Sequence, residues 1–141
     1  MKTSMKFFMA AIAVMGLIRF LLTISGVPNS VVKFASMTAI ITVGMLYFAV
    51  VTETHKGRLK AAYLLILPYM IVEVLALGYT WASGRQTIFH AQEYSFGVGI
   101  GAHTIGHLIG GLTWEPLSLF IIMEIVWFIY SRGRRLVHAS S

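Results

Sequence analysis

Apolar residues in this chain fall mostly in four long runs. The first run covers residues 5–24 and ends at Gly26-Val27-Pro28-Asn29; the second covers 31–51 and stops at the polar Thr52-Glu53-Thr54-His55-Lys56-Gly57. A third covers 59–82 with Pro68 inside it, and a fourth covers 114–131. Each is close to the ~20 residues that carry a helix across the ~30 Å hydrocarbon layer of a bilayer. Gly and Pro between the first two runs end one helix and start the next. Pro68 predicts a kink in the first third of its helix. The fourth helix has agreeing start signals: Thr113 to cap its first amides, Glu115 at the positive end of the dipole, and Pro116 where no amide partner is lost. The pattern predicts an all-α integral membrane fold, a four-transmembrane-helix bundle forming one domain over residues 1–141.

The segment 83–113 breaks the pattern. From Ser95 to Leu112 it is apolar, yet seven of eighteen residues are Gly or Ala. A fifth crossing there would carry Arg132, Arg134 and Arg135 to the outer side. A short Gly-rich re-entrant or interfacial helix on the outer side is therefore expected, since irregular backbone at that depth is tolerated where protein covers it.

Composition agrees with lipid as the solvent. Apolar residues make up 57% and charged residues 11% of the 141, against about 45–50% and about 25% in soluble domains. That excess would aggregate in water. The formal charge of +6 does not indicate nucleic acid, because the basic residues flank the apolar runs instead of forming a stripe. Eight of the eleven lie at Lys2 and Lys6, at Lys56, Arg58 and Lys60, and at Arg132, Arg134 and Arg135. With both termini inside, all eight fall on the cytoplasmic side and only Lys33 and Arg85 outside, as the positive-inside bias demands. A bacterial inner membrane is the expected location and the bilayer the first partner. The initial run is read as a retained crossing, since Arg19 interrupts it and Thr23-Ile24-Ser25 is a poor cleavage site. There is no cysteine, which removes disulfides, thiolate metal sites and cysteine nucleophiles.

Three groups of residues carry candidate chemistry. His103 and His107 lie four apart, on one face of a helix; two imidazoles so placed can chelate a transition metal ion, with His90, Glu93 or Glu115 completing the set. A haem would need its second axial ligand from another helix, because its two ligands lie on opposite faces of the ring. The pair lacks the glutamate of H-E-x-x-H, and hydrogen bonding to carbonyls or headgroups is the simpler use of these imidazoles. Next to them Ala102, Gly106 and Gly110 form a small-xxx-small row suited to close helix contact. Finally, Arg19, Glu73 and Glu124 fall inside the first, third and fourth runs, with both carboxylates near mid-depth. A charge at a helix centre costs about 2.5–3.5 kcal/mol on insertion scales, so Arg19 is expected to pair with Glu73 or Glu124. His55 and His138, among basic residues, are expected to face headgroups. Neither the G-x-S-G nucleophile pattern at Ala82-Ser83-Gly84 nor a phosphate loop at Gly97, Gly99 and Gly101 is met.

These features leave three functional expectations. The first is an accessory or oligomeric subunit of a larger membrane complex, whose charges and small residues serve helix contact. The second is a metal- or haem-binding redox protein using the outer histidines. The third is a proton- or ion-coupled transporter or channel component using Glu73 and Glu124.

Overall fold

The computed structural model describes residues 2–25, 31–83 and 109–140. Among them every regular element is helical, with no strand. The helices are α1 (Thr3–Ile24), α2 (Val31–Val51), α3 (His55–Ser83) and α4 (Trp114–Ser140). A turn of helix at residues 109–112 precedes α4. Two stretches, Thr3–Leu22 and Ile109–Ala139, are long and apolar enough to cross a membrane, while the apolar part of α2, Ala35–Val51, is shorter.

α2 coincides with the second apolar run, and α1 begins two residues before the first. α3 starts four residues ahead of its run because Thr54 caps it: Gly57 N donates to Thr54 Oγ1 at 3.1 Å and Arg58 N to Thr54 O at 3.0 Å. A β-hydroxyl that satisfies an orphan amide of the first turn is the usual helix start. Pro68 lies inside α3 without ending it.

The last helix begins at Trp114, as the apolar run predicts, but the cap expected of Thr113 needs correction. Thr113 does not cap forward; its hydroxyl donates back to Ile109 O at 2.6 Å, and its amide also donates to Ile109 O, at 3.0 Å. Helical turns thus precede Thr113, and the hydrogen-bond ladder is interrupted there because Pro116 has no amide to give to Leu112 O. At its other end α4 runs on well past residue 131, since the end of an apolar run does not oblige a helix to stop. The Arg-rich continuation is itself a good helix former.

α1 packs on α2 and α3, α4 packs on α2 and α3, and α2 touches α3. α1 runs parallel to α3: their first turns share a cavity wall, and near their far ends Phe20 and Tyr79 meet edge to face at 5.5 Å. α2 is antiparallel to both, with Phe8 of α1 against Phe48 near the end of α2 at 5.6 Å. The core gathers Ile12, Met37, Phe48, Ala49, Ala61, Ala62, Leu65 and Met123, all at most 2% exposed. Small residues allow the helices to approach. A Cβ at Gly44 would sit 2.9 Å from Leu65 Cδ2 and 3.0 Å from Phe8 Cδ1, so α2 meets both neighbours there. On the other side the helices stay apolar: Leu17 and Leu21 of α1, Val43 and Leu46 of α2, Ile71 and Leu75 of α3, and Ile121 and Ile125 of α4 are exposed.

Close packing at Gly44 predicts a cost of about 1–3 kcal/mol for Gly44→Ala, as for overpacked cores. Gly133, with none of the described residues within 4 Å of a Cβ, is predicted to gain about 0.5–1 kcal/mol as Ala from helix propensity. Thermal unfolding of the two variants in detergent micelles should show opposite shifts.

Candidate functional site

The polar centre of the described structure lies where α2 ends, α3 begins and α4 passes. Thr54, by capping α3, places His55 in its first turn and Arg58 one turn on, three residues apart and so on one face. Opposite them on α4 stand Glu124 and, again three residues on, Trp127. The Arg58 side chain is 0% exposed and that of Glu124 25%.

Arg58 reaches Glu124 with two prongs, Nε to Oε1 at 2.7 Å and Nη2 to Oε2 at 3.1 Å. This is the fork geometry that makes guanidinium–carboxylate pairs strong. Its remaining nitrogen, Nη1, donates to Thr52 O at 2.6 Å. That carbonyl lies just past the last turn of α2, closed by Thr52 N to Phe48 O at 3.2 Å, where carbonyls lack helical partners. The indole of Trp127 covers the guanidinium, with Arg58 Cζ 4.9 Å from the ring centroid, a cation–π contact that gains from exclusion of water. One buried cation thus ties three helices together.

His55 Nδ1 lies 2.7 Å from Glu124 Oε2 and 3.1 Å from Arg58 Nη2. Arg58 can only donate and the carboxylate can only accept. The shorter contact requires a proton on Nδ1, which makes the approach of Nη2 a packing contact and not a second hydrogen bond. The imidazole is otherwise open to solvent, with a side-chain exposure of 79%. It is therefore a ligand of Glu124 as well as a surface group, more than the headgroup-facing role expected of it.

The pairing expected between Glu124 and Arg19 is not formed, because Glu124 is taken by Arg58. Glu124 lies level with the first turn of α3, at the end of the packed helices. Arg19 is buried on α1 one turn past Gly16, which abuts Val72 of α3. From Arg58 to that level α3 rises by more than about 20 Å at 1.5 Å per residue, far beyond side-chain reach. Arg19 Nη1 approaches Met37 Sδ of α2 at 4.0 Å. The side chain of Glu73, its other expected partner, lies outside the described residues.

His90, Glu93, Ala102, His103, Gly106 and His107 also lie outside the described residues. Glu115 sits in the first turn of α4, half-buried. Among the described residues nothing lies within 4 Å of a Cβ built at Gly110, whereas one at its neighbour Gly111 would abut Met70 of α3. Among the described residues no group of three His, Asp or Glu is placed to hold a metal ion.

Sequence reading passed over Arg58 because it belongs to a basic cluster beside polar residues, the usual mark of a headgroup-facing loop. The available signal was the Thr54 cap, which puts position 58 one turn into a helix on the same face as His55. A lone carboxylate inside an apolar helix then needs a cation from the nearest helix start. Comparison with protein-family models, characterised proteins and solved structures gives no match.

Removing one member of a buried pair leaves the other charge uncompensated, which typically costs 3–5 kcal/mol. Glu124→Ala is therefore predicted to lose about 3 kcal/mol of stability, while His55→Ala, at an exposed contact, loses under about 1 kcal/mol. Thermal unfolding in detergent should rank the variants in that order; equal losses would put the weight on the imidazole.

Proposed function

We propose that this chain is a small polytopic membrane protein serving as an accessory or oligomeric subunit of a membrane assembly. In this reading all four helices cross the bilayer as a bundle, both termini face the cytoplasm, and the membrane is a bacterial inner membrane. The observation that carries the subunit role is the saturation of Glu124. A carboxylate that couples transport must be able to release Arg58 and meet an ion. This one accepts two guanidinium prongs and an imidazole, so its present use is to hold helices in register.

The membrane placement draws support from the outward apolar faces on every helix and from two stretches that meet the length and composition of a span. Buried arginines also sit at two levels, Arg58 and Arg19, separated by more than about 20 Å of apolar packing. A spacing of that order suits groups near the two edges of a ~30 Å hydrocarbon layer. The exposed apolar faces offer surface both to lipid and to neighbouring helices, and a bundle of this size encloses little interior for a substrate.

Two measurements test the reading. Washing membranes at alkaline pH should leave the chain in the pellet; release into the supernatant would overturn the membrane placement. Purification in mild detergent, followed by mass determination, should give an assembly larger than the 15.6 kDa chain. A lone monomer that carries stoichiometric metal or a haem absorption band would overturn the subunit role in favour of a cofactor protein.

A further inference from the structure

The end of the helices that holds Arg58 and Glu124 also contains a second feature, a cavity of about 240 Å³ between α1, α2 and α3. Its lining includes Lys2 and Met5 at the start of the chain, Phe48 near the end of α2, and Lys60, Ala61 and Leu64 on α3. The walls divide by chemistry. Met5, Phe48 and Ala61 are buried and form an apolar floor, and the two lysines are exposed at the rim. No carboxylate is among the described residues that line it.

Two cations above an apolar floor complement a molecule that joins an anion to hydrocarbon. The volume is smaller than the ~300–1,000 Å³ of sites that enclose a whole small ligand. It suits a headgroup and the first carbons of a chain, with the remainder lying outside along apolar helix surface. Lysines at a membrane rim attract anionic lipid at about 1 kcal/mol each, and their long stems can cover apolar wall while the ammonium stays in water.

We propose that this cavity is a binding site for one anionic phospholipid, its phosphate held between Lys2 and Lys60 and its upper acyl carbons on Met5, Phe48 and Ala61. The site rests on the membrane reading above, which puts this end of the helices at headgroup level. Inorganic phosphate shares the charge without the hydrocarbon, and phosphatidylcholine shares the hydrocarbon without the net charge.

The full chain, purified in detergent, is titrated with phosphatidylglycerol, phosphatidylcholine and inorganic phosphate and followed by native mass spectrometry. One phosphatidylglycerol per chain should be retained, with phosphatidylcholine absent at the same concentration and no displacement by phosphate. Replacing both rim lysines, Lys2→Gln with Lys60→Gln, should weaken retention about 30-fold. Lys56→Gln with Arg135→Gln removes the same charge from exposed positions outside the cavity and should leave retention within about twofold. Equal weakening by the two pairs would overturn the site in favour of overall charge. Equal retention of phosphatidylcholine would overturn it in favour of the tail alone, and displacement by phosphate in favour of a free anion. Both rim lysines are exposed, so the variants should keep the helical circular dichroism and unfolding temperature of the parent. Alkaline washing separates the two failures. A chain that washes off loses the membrane reading itself, whereas one that stays in the pellet but binds lipid without Lys2 and Lys60 loses only the cavity.

Discussion

The described structure is organised around one buried cation. Arg58 is withdrawn from solvent completely, and a guanidinium cannot shed its proton to escape the cost of burial. It must therefore be met by acceptors, and Glu124, Thr52 O and the Trp127 ring meet it on three sides. Desolvation makes each partner depend on the other, because either charge alone would stand uncompensated. Such a pair adds little net stability over a well-packed apolar pair of the same size. What it contributes is register, since the two-pronged contact is satisfied at one offset of α4 along α3 and at no other.

That register has consequences along the whole of α4. With Glu124 opposite the first turn of α3, the stretch from Ile109 lies along α3 and the last four turns extend beyond the start of α3. Gly111 against Met70 and Glu124 against Arg58 define an antiparallel pair of helices. The extension carries Arg132, Arg134, Arg135 and His138 into an exposed position, where Arg132 folds back over the Phe128 ring at 4.3 Å. Basic charge accordingly gathers beyond the same end of the helices as the capped α3 start and the Lys2–Lys60 cavity.

Much of the helix content was legible from run length alone, because an apolar run of about twenty residues is long for a strand and fits a helix without any alternation. α2 is the clearest case: Pro28 and Asn29 before it and Thr52 after it bracket an apolar run that is the helix itself. α3 was legible only to within its cap. Its first turn is polar, so hydrophobicity is silent there, and Thr54 speaks only through its hydroxyl. The start of α4 at Trp114 was legible, but the role of Thr113 was not, since a Thr near a helix start can also sit one turn inside a helix with its hydroxyl bonded backward. The Arg58–Glu124 pair was illegible for a different reason. It depends on how far one helix slides along another, and with Arg19 available as a cation elsewhere, composition could not choose between them. The histidine group at 90, 103 and 107 lies outside the described residues, and its chemistry rests on spacing.

The most direct test of the organising role of Arg58 is a double-mutant cycle with Glu124. Arg58→Leu, Glu124→Leu and the double variant are compared with the parent by unfolding in detergent, which isolates the term the two side chains share. A coupling of about 2 kcal/mol or more is expected, with the double variant more stable than either single one, as for buried pairs replaced together by apolar residues. Losses that simply add would show that the two charges act independently, and the register of α4 on α3 would then have to come from packing alone.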